Sequence, residues 1–173
     1  MTEAHLSEMT DFEMRANNIA VAISDARSRV EAFGYLHESP DEVVSRIVGM
    51  FICWLTACEE ARLQNMNADA TFRTAVIDAL PAVDDPNWDT YIMPKPSSSL
   101  KQRAEALWGI RIAFTHADGD TNLISNPTNK AFAQNAHLHI PGVILEKSGR
   151  LNLSGCNTHT PIKCIVQIRA VLP

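Results

Sequence analysis

Arg111 and His116 are the two residues whose types and spacing best suit phosphodiester chemistry. They stand in the stretch Leu107-Trp108-Gly109-Ile110-Arg111-Ile112-Ala113-Phe114-Thr115-His116. A guanidinium offers a planar fork of donors that matches phosphate oxygens, and an imidazole is the side chain that exchanges protons near neutral pH. Arg111 lies seven residues after Ala104 and three before Phe114, so it falls on the apolar stripe of a predicted helix. A lone cation there is costly unless it meets an anion or a second subunit. Five residues of α-helix rotate by about 140°, so Arg111 and His116 do not converge on one atom within a single helix. That geometry points to a composite site at a two-fold interface, where paired cations would frame a narrow anionic ligand.

Here the chain resembles the HEPN superfamily (higher eukaryotes and prokaryotes nucleotide-binding), all-α bundles that often dimerise. Its ribonuclease motif is Arg, four to six residues, then His, near the end of a late helix. Arg111 and His116 match that spacing, and Ala117-Asp118-Gly119-Asp120 continues the helix-end context. The resemblance implies metal-independent RNA cleavage without a cofactor, in which the ribose 2′-OH attacks its own phosphate and leaves a 2′,3′-cyclic phosphate and a 5′-OH. DNA lacks that nucleophile. His116 would be the general acid or base, and Arg111 would hold the phosphate. Asp118 and Asp120 are candidates for orienting His116, or simple turn residues around Gly119. The implied setting is a toxin or defence role, with RNA as substrate and an antitoxin or other protein as partner. Active members commonly carry Asn, Asp or His directly after the arginine, where this chain has Ile112. The tyrosine that serves as a nucleotidylation site in some members is replaced by Asp118.

A second reading of the same residues is open. The arginine stem would pack on the bundle while its head pairs with an acid such as Glu59 or Glu60, and His116 would cap helix-end carbonyls. The protein would then be a catalytically inactive, dimeric interaction or scaffold module.

Helices must position these residues. From the N-cap candidate Thr10, apolar residues recur at Phe12, Ala16, Ile19, Ile23, Ala26, Val30 and Phe33, with Gly34 as the expected C-cap. Arg15, Asn18, Asp25 and Arg29 take the solvated face. Glu38-Ser39-Pro40-Asp41-Glu42 starts a second helix, whose stripe runs through Val44, Ile47, Phe51, Trp54, Cys58 and Ala61 and widens to Val43, Val48 and Leu55. A third, shorter helix is predicted through Phe72, Val76, Ile77 and Leu80, stopped by Pro81. A Pro/Ser-rich loop spans 81–99, a candidate hinge or an irregular connector. Ser98 or Ser99 then caps a fourth helix reading Leu100, Ala104, Leu107, Ile110 and Phe114. Val143-Ile144-Leu145 and Leu151-Asn152-Leu153 flank a Gly-containing turn and predict a β-hairpin near 143–153. Thr160-Pro161 opens a terminal helix. The expected fold is a single mainly α domain over 1–173, an up-and-down helical bundle with a small C-terminal hairpin.

Composition bounds the alternatives. The 173 residues are 46% hydrophobic and 20% charged, enough for a core without staples, and the net charge of -5 opposes broad electrostatic coating of nucleic acid or membrane. With aromatics at 6%, a wide base-stacking platform is not expected. No apolar run approaches the roughly 20 residues of a membrane span, and no signal-peptide pattern opens the chain, so a cytoplasmic protein without membrane partners is expected. Cys53, Cys58, Cys156 and Cys164 form no C-x-x-C and are read as free thiols. His137-Leu138-His139 would place two imidazoles on one side of an extended segment, yet no third ligand is near in sequence, so no metal is assigned. No phosphate-loop, dinucleotide or nucleophile-elbow motif occurs.

Overall fold

Ser39 accepts from the Glu42 backbone N–H while the Glu42 carboxylate accepts from the Ser39 N–H, and Pro40 fills the first helical position. This reciprocal cap satisfies donors that a helix start would otherwise leave bare. In the computed structural model, which describes residues 3–33, 39–82 and 98–172, the helix so begun is α2 (Pro40–Gln64). Around it stand α1 (Glu3–Phe33), α3 (Leu100–His116), α4 (Pro127–His139) and α5 (His159–Val171). β1 (Ile144–Leu145) and β2 (Leu151–Asn152) pair antiparallel, Ile144 opposite Asn152 and Leu145 opposite Leu151. The fold is a mainly α bundle with a small hairpin near the C-terminus, as the periodicity predicts.

The core forms where the stripes meet. Ala16, Ile23 and Val30 of α1, Val48, Ile52 and Leu55 of α2, Leu107 and Ile110 of α3, and Ile165 and Ile168 of α5 are all buried. The breadth of the α2 stripe has the expected consequence: α2 packs against α1, α3, α5 and β2. The predicted end of its stripe does not hold, since Ala61 is exposed and Leu63, two residues on, takes the core position. The predicted cap of α3 is Ser99, which receives the Gln102 N–H.

Several expectations need correction. α1 starts at Glu3, ahead of the expected cap at Thr10. The third helix shrinks to one wide π-type turn, Arg73–Ile77, which still buries Phe72, Val76 and Ile77. His137 and His139 are not on an extended segment: they occupy the last turn of α4, where residues two apart point about 200° from each other. A paired metal ligand set is thereby lost. Asn126 and Pro127 had been available as a cap and first-turn proline for α4. The Gly34 cap and the body of the 81–99 loop lie outside the described residues.

Two glycines set helix spacing around the Arg–His helix. At Gly109 any Cβ would collide with the Ala133 backbone, so α3 and α4 cross in near backbone contact there. At Gly49 a Cβ would strike the Phe114 ring from α3. The hairpin is fastened to α2 by Ser45, a buried hydroxyl that donates to the Leu151 carbonyl (3.3 Å) and accepts from the Leu153 N–H (2.9 Å).

Candidate functional site

Arg111 occupies a built socket. Its two terminal nitrogens donate to the two oxygens of Glu60, at 3.3 and 3.1 Å, and its guanidinium carbon sits 5.1 Å from the Trp108 ring centre. Trp108 stacks in turn on Phe72, nearly parallel at 6.1 Å, and donates its indole N–H to Asn129 of α4. Glu60 also accepts the Phe72 backbone N–H at 2.7 Å. One carboxylate therefore ties α2 to the π-type turn and, through Arg111, to α3. The pair is largely but not wholly covered, with side-chain exposures of 21% for Arg111 and 17% for Glu60.

His116 is exposed in the last turn of α3, and no hydrogen bond joins its ring to another described residue. The Arg111 head reaches back over Trp108, eight residues before His116, which is about 12 Å along a helix axis. The two side chains diverge more than their backbone spacing alone requires. Between them, Thr115 lies 3.5 Å from the Cys53 thiol, which also donates to the Arg111 carbonyl. Burial pushes the Cys53 thiol up, against the smaller opposing effects of Thr115 and Arg111, so it is a neutral packing group rather than a thiolate.

Asp118 and Asp120 serve the turn and are not bonded to His116. Asp118 adopts a left-handed backbone (φ 45°), an uncommon state that aspartate tolerates better than most residues. Its carboxylate lies 3.5 Å from Arg46 Nε and 3.3 Å from Arg150, and its carbonyl accepts from Arg150 at 2.8 Å. Asp120 accepts the Asn122 N–H and bridges to Arg150 through the backbone. A cleft of about 170 Å³ opens beside Asp118, lined also by Glu42 and Glu146. Its three carboxylates outnumber its two arginines, which disfavours a polyanion.

No known protein family, curated protein or solved structure matches this chain. What the site can do is therefore argued from its own side chains. Among the described residues, no group of three or more His, Cys, Asp or Glu could hold a metal ion, and no helix is long and apolar enough to cross a membrane.

Sequence reasoning anticipated Glu60 as an acid that could hold Arg111, but not Trp108 and Phe72 as the platform beneath it. Trp108 is three residues before Arg111, a neighbouring position on the helix surface, and that was the available signal. A larger charge cluster went unseen. Glu59, with no exposed surface, receives Arg169 Nε at 2.6 Å and Arg62 at 2.7 Å, and the Arg169 guanidinium lies 3.7 Å from the Phe12 ring centre. These partners are 110 residues apart in sequence.

Proposed function

We propose that this chain is a HEPN-like helical module that works as a dimeric interaction or scaffold domain, with Arg111 as a structural cation. The observation that carries this reading is the engagement of both terminal guanidinium nitrogens by Glu60. A phosphate would have to compete with a carboxylate already in bidentate register, and breaking that pair also loosens the Phe72 anchor. The neighbouring surface suits a partner helix: Met50 is 57% exposed, and the exposed Ala57 follows seven residues on along the same face of α2. A copy of the same chain is the economical partner, because an isologous contact needs only one self-complementary patch.

The second reading is a metal-independent endoribonuclease assembled at a dimer cleft, in a toxin or defence setting. What favours it is the open position of His116 and the residual exposure of Arg111, which would let an RNA phosphate displace Glu60.

One experiment separates them. Purified protein is incubated with mixed RNA in EDTA beside Arg111→Ala, His116→Ala and Glu60→Gln, while light scattering gives the mass in solution. The interaction reading expects a dimer and intact RNA in every reaction. Fragments ending in 2′,3′-cyclic phosphate that vanish in both Arg111→Ala and His116→Ala would overturn it and establish the ribonuclease. In that case Glu60→Gln, which frees Arg111, should lower KM for RNA.

A further inference from the structure

A second cavity is walled by α1 residues 20–27 and by the segment 155–159 that leads into α5. Its volume, about 410 Å³, lies within the range of small-molecule sites. The polar lining is rich in donors: the Arg27 guanidinium, the exposed His159 ring, and the hydroxyls of Ser24 and Thr158. Asp25 is the single carboxylate among the lining residues. Val21 and Ile23 supply an apolar wall.

Arg27 is the informative residue. Its one hydrogen bond among the described residues runs from a terminal nitrogen to the Cys156 carbonyl, at 3.2 Å, and its buried Nε has no partner. Of the two buried arginines, Arg169 has a carboxylate against it and Arg103 donates to the Ser99 carbonyl and the Gln167 side-chain oxygen, whereas the partly buried Arg27 has the Cys156 carbonyl alone and no carboxylate among the described residues. A mostly covered guanidinium without a counter-ion is costly, and an incoming oxyanion would supply one. The end of α5 does not itself make the site, because Asn157 already accepts the His159 N–H at 2.9 Å. Side chains from two distant segments would do the holding.

We propose that this cavity binds a phosphate monoester on a compact apolar carrier, with Arg27 and His159 gripping the phosphate and Val21 and Ile23 contacting the carrier. A dianion answers the unpaired guanidinium, and the mixed wall favours an organic ester over free phosphate.

The test titrates the full chain with phenyl phosphate, inorganic phosphate and phenol, following the His159 ring by NMR and the heat of binding by calorimetry. Phenyl phosphate should saturate in the millimolar range or below, with inorganic phosphate weaker and phenol weaker still. Arg27→Gln and His159→Gln should each weaken phenyl phosphate by about tenfold or more, the loss expected for one charge-assisted hydrogen bond. Lys163→Gln, an exposed cation on α5 outside the cavity, should leave binding unchanged. Because Arg27 also braces Cys156, circular dichroism checks its variant, and the exposed His159 provides an independent one. No saturable response, equal affinity for phenol, or equal weakening by Lys163→Gln would overturn the proposal.

Discussion

Charged side chains inside this bundle are paired with unequal completeness, and the pairing decides what a substitution does. Glu59 has no exposed surface and two arginine partners. Glu59→Gln should destabilise the fold by about 3–5 kcal/mol, because Arg169 would remain buried without its counter-charge. Urea unfolding should show this as a lower midpoint with an unchanged slope. Arg111→Ala, at a less covered pair, should cost about 1–2 kcal/mol in the same assay. His139 sets a pH dependence. Its Nδ1 lies 2.9 Å from the Ser98 hydroxyl, and burial, reinforced by His137, lowers its pKa from the ordinary 6.5. The unfolded chain therefore binds the proton more readily than the folded one, so stability rises with pH across that window. The contribution is complete above about 6.5 and is lost as pH falls toward the depressed folded value. Midpoints measured from pH 7.5 to 5 should fall, and His139→Gln should flatten that slope. Cys156 is pushed up to about 11, chiefly by burial and against the opposing charge of Arg27. Thiol reagents at neutral pH should reach it only at the rate of unfolding, which mass spectrometry of labelled protein would follow.

Elements meet through a few small contacts. Gly109→Ala should cost about 1–3 kcal/mol or more, because the added methyl meets the Ala133 backbone rather than a side chain that can turn away. Ser45→Ala should cost about 1–3 kcal/mol by orphaning the Leu153 N–H and a hydrogen bond to Leu151, loosening the hairpin from α2. Hydrogen exchange at 144–153 would detect it. How well each element can be read in the sequence follows the same physics. α2 and α3 announce themselves through caps and wide stripes, because Ser39, Pro40 and Ser99 act locally and their apolar residues recur at helical steps. α4 is quiet: its buried residues are Ala133 and Ala136, too small to mark a stripe, since close packing on Gly109 demands small side chains. The stretch around Phe72 has helical spacing, but it folds as a single turn whose start is held by Glu60 from α2, a contact no local pattern contains. Likewise Arg111 and its candidate acids are legible, whereas the Trp108–Phe72 platform exists only once α3 and that turn are brought together.

Across the whole molecule the net charge of -5 makes a demand on either functional reading. If RNA is bound at all, it is held at a confined site, so the salt dependence of its affinity should correspond to few phosphate contacts. Filter binding over a salt series would give that slope, and a steep one would mean a broad cationic surface that the composition opposes. The bundle also has a temporal order written into it. Arg169 emerges from the ribosome 110 residues after Glu59, so throughout synthesis of α3, α4 and the hairpin the carboxylate lacks its deepest partner. A nascent chain halted before residue 169 should keep that acid in water and hold α1 loosely, leaving the Phe12 ring accessible to a protease. Closure of α1 on the bundle thus waits for α5, and a cell would have a protease-sensitive bundle until α5 docks.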